Sequence, residues 1–78
     1  MPMMPVITSK VMTSFLLSKG FALMRQKGSH KFFRHPDGRT ATVPEHKGED
    51  LGRGITKKIL NDAELNQEDF LKWQNKKK

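Results

Sequence analysis

Pro36-Asp37-Gly38 interrupts two short β-prone runs and leaves this chain few ways to fold. Proline presets the first turning residue and glycine accepts a positive φ, so the chain reverses there. The runs on either side, residues 30–35 and 39–43, then pair as an antiparallel hairpin. A second break, Gly28-Ser29, stands just ahead of the hairpin. Glycine turns without strain, and serine offers a hydroxyl for a local bond. The run before it, residues 21–27, reads as another strand. Three strands with one apolar face still need a helix to cover them.

Side chains of a strand alternate between faces, so the hairpin sorts itself. Phe32 and Phe33 commit one ring to each side. Phe33, Ala41 and Val43 are predicted to face the helices, with Lys31 and His35 on the same side as Phe33. His30, Phe32 and Arg34, with Thr40 and Thr42, then look outward. In the first strand Phe21, Leu23 and Arg25 share a face, and Ala22, Met24 and Gln26 share the other. That alternation is imperfect, and pattern alone assigns neither face to the core.

The cover comes from both ends of the chain. Residues 1–7 read as a loose lead-in interrupted by Pro2 and Pro5, with Thr8 or Ser9 as helix N-cap. A helix is predicted over 10–19, with Met12, Phe15, Leu16 and Lys19 on one stripe, Val11 beside it and Gly20 as the stop. Pro44 ends the third strand, and a polar loop follows over 45–52. A helix is predicted over 55–61, with Ile55, Ile59 and Leu60 inward and Lys57 and Lys58 outward. Asn66 and Asp69 resemble a capping pair for a last helix reaching about Gln74. Leu65 can staple against Phe70, and Phe70 and Trp73 can share a face. Residues 75–78 form a basic end. The order is α-β-β-β-α with a short extra helix, so the fold class is α+β: a three-stranded antiparallel sheet with helices on one face. It forms a single domain over 1–78, with about 1–8 as lead-in.

Composition narrows the partners. Fifteen Lys and Arg against eight Asp and Glu give a formal net charge of +7 and a pI near 10.1. So basic a domain points to a polyanion. No segment has the large apolar face of an interfacial helix, and no apolar run is long enough to span a membrane. The start lacks the basic and apolar regions of a signal peptide. With no cysteine, disulfides and thiolate zinc sites are excluded, which suits a reducing cytoplasm.

His30 is the first side chain after the Gly28-Ser29 break, between Lys27 and Lys31. An imidazole at the mouth of a basic strand suits proton transfer beside a phosphate, because its charge changes near neutral pH. His46, in the loop after Pro44, is a second candidate for proton handling or phosphate donation. His35, beside the Pro36 turn, is expected to do no chemistry. A three-histidine metal site is disfavoured, since no carboxylate sits at a matching spacing; no cofactor is predicted. Lys27, Lys31, Arg34, Arg39, Lys47, Arg53, Lys57 and Lys58 are the candidate phosphate contacts, and Phe32 the candidate base-stacking ring. These residues alone also fit a small basic RNA-binding module without chemistry.

The blocks Gly20-Phe21, Arg25-Gln26-Lys27-Gly28-Ser29-His30 with Phe33, Val43-Pro44-Glu45-His46 and Gly54-Ile55-Thr56-Lys57-Lys58-Ile59-Leu60 occur in order and at family spacing. In these the chain resembles the HicA toxin family, over roughly residues 9–70. The resemblance implies a double-stranded-RNA-binding-domain-like fold. It implies a toxin that cleaves mRNA without the ribosome and is neutralised by a HicB antitoxin. The family's catalytic histidine falls on His30, and Gly28 and Ser29 match the residues that shape the approach to it. His46 matches the family's Pro-x-His block.

Overall fold

The computed structural model describes residues 7–45 and 50–76. Its elements run α1 (Ser9–Ser18), β1 (Ala22–Lys27), β2 (His30–Arg34), β3 (Thr40–Pro44), α2 (Arg53–Asp62) and α3 (Gln67–Lys76). The three strands form one antiparallel sheet in the order β1-β2-β3. This is the α+β architecture of a double-stranded-RNA-binding-like domain, with a third helix appended. Among the described residues no helix is long and apolar enough to cross a membrane.

Thr8 caps α1, its hydroxyl accepting the Val11 N–H at 3.2 Å. At the other end the Phe21 N–H donates to Leu16 O at 3.0 Å and the Gly20 N–H to Leu17 O at 3.2 Å. This is a Schellman ending, and Gly20 holds the left-handed position at φ 93°. The end of α2 repeats the motif, with Leu65 N–H to Leu60 O and Glu64 N–H to Asn61 O. Glu64 stands at φ 56° where glycine is usual. Asn66 and Asp69 cap α3 reciprocally: the Asp69 N–H donates to Asn66 Oδ1, and the Asn66 N–H to Asp69 Oδ2. Leu65, just ahead of the cap, packs against the core that contains Phe70.

The core lies between the helices and one face of the sheet. Phe33, Ala41 and Val43 bring the sheet's share; Met12, Phe15, Leu16, Ile59, Leu60, Ala63 and Phe70 bring that of the helices. Two expectations are corrected. Ile55 does not join the buried stripe of α2: it is 43% exposed, and Thr56, at 4%, is buried with Ile59 and Leu60. Helix α2 begins two residues before the predicted start, and its inward stripe runs through Thr56, Ile59, Leu60 and Ala63 rather than through Ile55. Ile7, read as part of the lead-in, is 2% exposed. Its carbonyl accepts the Leu51 N–H, and Thr8 bridges Asp50, so the chain before α1 is stitched to the chain before α2.

The β2–β3 turn is tied into the helices. Asp37 Oδ1 accepts the Arg39 N–H at 3.0 Å, and Oδ2 accepts Arg39 Nε–H at 2.8 Å. Arg39 Nη1 reaches on to Ala63 O at 2.7 Å, and the guanidinium covers the Phe21 ring. The Arg39 N–H, and then its guanidinium, hold the Asp37 carboxyl below its ordinary range. A carboxyl whose folded pKa is depressed stabilises the fold when ionised, and that contribution goes as pH falls from the unfolded value through the folded one. Asp37→Asn is therefore expected to lower the urea midpoint at pH 7, with the gap from the parent closing below about pH 4. A gap that persists unchanged at pH 2.5 overturns this account.

Candidate functional site

The Gly28-Ser29 break is a two-residue hairpin turn. Gly28 takes φ 59°, while Ser29 is not among the positive-φ residues. A positive-φ glycine followed by an ordinary residue is the signature of a type II′ turn, whose twist matches that of the flanking strands. The Gln26 side-chain amide braces it by donating to Gly28 O at 3.2 Å. Such a turn sets Lys27 directly opposite His30, and the ladder continues with Gln26 opposite Lys31 and Arg25 opposite Phe32.

The next pair in that ladder is Leu23 with Phe33, so Met24 is an extra residue, a β-bulge. The bulge decides the site's composition. Simple alternation puts Arg25 on Leu23's face, the side of Phe33. The extra residue turns Arg25 to the open face instead, opposite Phe32 and beside Lys27. Alternation alone does not mark Arg25 for this face. The broken alternation around Met24 was the only trace of the bulge.

Cross-strand pairing now gives the whole open face. It carries Ala22, Arg25 and Lys27 from β1; His30, Phe32 and Arg34 from β2; and Thr40, Thr42 and Pro44 from β3. His30, Lys27, Arg25 and Arg34 are exposed, and Phe32 is half-buried between them. The Arg25 guanidinium lies over the Phe32 ring, 4.9 Å from its centroid. None of the paired strand residues on this face is acidic. Two guanidinium groups, an ammonium and a histidine thus stand around one aromatic ring, and among the described strand residues of this face there is no carboxylate to neutralise them.

The other marked residues sit elsewhere. Lys31 points to the helix side of the sheet, where Nζ pairs with Glu45 at 2.6 Å. The Glu45 N–H donates to Ser29 O, closing the same corner. Arg39 is held by Asp37, Ala63 and Phe21, as described above. Arg53, Lys57 and Lys58 lie on α2, and Lys58 pairs with Asp62 at 3.0 Å. His46 and Lys47 lie outside the described residues. His35 is a scaffold residue: Nδ1 accepts the Asp37 N–H at 3.1 Å, and the ring packs edge-on against Phe21. A Cβ at Gly20 would come within 2.9 Å of His35 Nε2, which adds a second reason for glycine there.

The structure therefore brings together His30, Lys27, Phe32 and Arg34 with Gly28 and Ser29, adds Arg25, and draws Lys31 and Arg39 into the scaffold. Such a face suits a flexible polyanion with planar bases: cations for phosphate, a ring for stacking, an imidazole for a proton. Among curated proteins none matches the chain. A family model described as HicA toxin of bacterial toxin–antitoxin matches residues 10–65, well over half of its length.

Proposed function

The chain belongs to the HicA toxin family of bacterial toxin–antitoxin systems, and on that premise we propose that it is a metal-independent endoribonuclease acting on single-stranded mRNA. The observation that carries this reading is the open face of the sheet, where His30 stands among Arg25, Lys27 and Arg34 with no acidic residue paired against them among the described strands. Arg34 and Arg25 hold the phosphates on either side of the scissile bond, and a base takes the place over Phe32 that the Arg25 guanidinium leaves. His30 takes the proton from a ribose 2′-OH as general base. The freed oxygen attacks the adjacent phosphorus, and the products are a 2′,3′-cyclic phosphate and a 5′-OH. In this reading backbone N–H groups near Gly28 stabilise the charge that develops on the phosphoryl oxygens. Among the described strand residues this face carries cations and no acid, a poor setting for a divalent ion.

The partner follows from the same charge. A HicB-type antitoxin with an acidic surface covers this face, competing with phosphate for the same cations. One experiment tests both statements. The chain is incubated with unstructured RNA in EDTA, without ribosomes, and the new ends are identified. Expected are 5′-hydroxyl ends, and inhibition by the purified antitoxin that weakens as salt rises. Ends carrying a 5′-phosphate, or cleavage only when a divalent metal is restored, would overturn the 2′-OH mechanism.

A further inference from the structure

Transesterification by a 2′-OH needs two proton transfers. One leaves the 2′ oxygen, and one reaches the departing 5′ oxygen. His30, occupied with the first, cannot make the second in the same step. We propose that Lys27 is the general acid that protonates the leaving 5′ oxygen, a role that rests on the reading of His30 as base.

The placement comes from the turn. Lys27 and His30 are the two residues that flank Gly28-Ser29, and they are cross-strand partners. Directly paired residues of an antiparallel ladder project to the same face, with Cα atoms about 5.5 Å apart when hydrogen-bonded to each other. Both side chains are exposed. A phosphodiester set between them meets an imidazole at one side and an ammonium at the other. In-line displacement needs that geometry, because the attacking and leaving oxygens lie on opposite sides of phosphorus.

Chemistry narrows the choice among the described residues. Arg25 and Arg34 share the face, but a guanidinium does not give up its proton in a protein. Lys31 is on the other side of the sheet in its pair with Glu45. His35 is five residues along the chain from His30, roughly 16 Å in extended backbone, and is engaged by Asp37 and Phe21. Thr40 and Thr42 carry hydroxyls, far weaker acids than an ammonium. Lys27 combines a transferable proton with a position opposite His30.

The step balances. The 2′-OH proton passes to His30, the 2′ oxygen bonds to phosphorus, and the bond from phosphorus to the 5′ oxygen breaks. That oxygen takes a proton from the Lys27 ammonium and leaves as an alcohol. Imidazolium and free amine remain, and proton exchange through water restores both.

The test separates a proton donor from a positive charge. Lys27→Arg keeps the charge and loses the transferable proton. On ordinary RNA its single-turnover rate is expected to fall by about 10²-fold or more, the usual size of a general-acid contribution. Its affinity for a non-cleavable 2′-deoxy analogue should stay within a few-fold of the parent. The second substrate carries sulfur in place of the scissile 5′ oxygen. A thiolate leaves without a proton, so Lys27→Arg should cleave this linkage at close to the parental rate. Near-parental cleavage of ordinary RNA by Lys27→Arg would overturn the proposal and leave Lys27 a phosphate contact. So would an equal defect on both linkages, or a His46→Ala variant slow on the oxygen linkage and restored on the sulfur one. His30→Ala, run alongside, should be slow on both. Parental activity in that variant would remove the base reading itself, whatever Lys27→Arg does.

Discussion

His30→Ala is expected to lower the single-turnover cleavage rate on the order of 10²- to 10⁴-fold while leaving RNA affinity within a few-fold of the parent. The imidazole is exposed and projects from the open face. Its residue is held by its backbone pairings, with Lys27 on one side and Pro44 on the other. Removing the ring therefore opens no cavity and breaks no packing contact with the core. In the proposed mechanism the phosphate contacts of Arg25 and Arg34 and stacking on Phe32 remain, and these carry binding. Rates at saturating RNA, beside gel shifts with a 2′-deoxy analogue, separate the two quantities. Equal loss of rate and affinity would make His30 a contact residue. Loss of neither would leave a binding module without chemistry at this position.

Phe15→Ala is expected to unfold the domain in part or altogether at 37 °C. Phe15 is fully buried on α1. Its ring meets Phe70 edge-on at 5.1 Å and Trp73 at 5.4 Å, so it joins α1 to α3. Truncating a buried phenylalanine costs about 3–5 kcal/mol, the transfer term plus the cavity left behind. A chain of this length has roughly 4–12 kcal/mol to lose. With a urea dependence of about 1 kcal/mol per molar, the midpoint should drop by about 3 M or more. Trp73 is the sole tryptophan and touches the substituted ring, so its fluorescence reports the transition directly. A midpoint shift below about 1 M would show that α3 is not locked to the core through this ring.

Phe15 also shows how far the sequence could be read. Met12, Phe15 and Leu16 fall on one helical stripe, and burial follows from periodicity alone. The Asn66 and Asp69 cap is legible for a similar reason, since two side chains and two N–H groups three residues apart satisfy one another locally. The hairpin and the inward set of Phe33, Ala41 and Val43 followed from alternation on either side of one turn. What stayed hidden was non-local. Nothing near Arg39 in sequence announces Ala63, 24 residues on, whose carbonyl takes its guanidinium. Alternation already puts Lys31 on Phe33's side of the sheet, but nothing in the pattern announces Glu45, 14 residues on, whose carboxylate takes its ammonium. Arg25 was hidden for another reason: alternation was applied across a bulge that shifts it by one. Among the candidate site residues, those fixed by the Gly28-Ser29 turn were readable, and those redirected by Met24 or by distant carbonyls were not.

That bulge has a consequence beyond Arg25. The strand that contains it is the first of three, so one side of its backbone has no neighbouring strand among the described residues. A flat, regular strand in that position is a template on which a second molecule can add its own, and Leu23 and Met24 are exposed along it. The extra residue breaks the spacing of N–H and C=O groups and bends the strand, so an incoming chain finds no continuous ladder to extend. Where a second copy pairs in the same register, Arg25 and Lys27 also set like charges against like charges. The same residue that turns Arg25 to the open face thus also guards the free edge of the sheet against pairing with another chain.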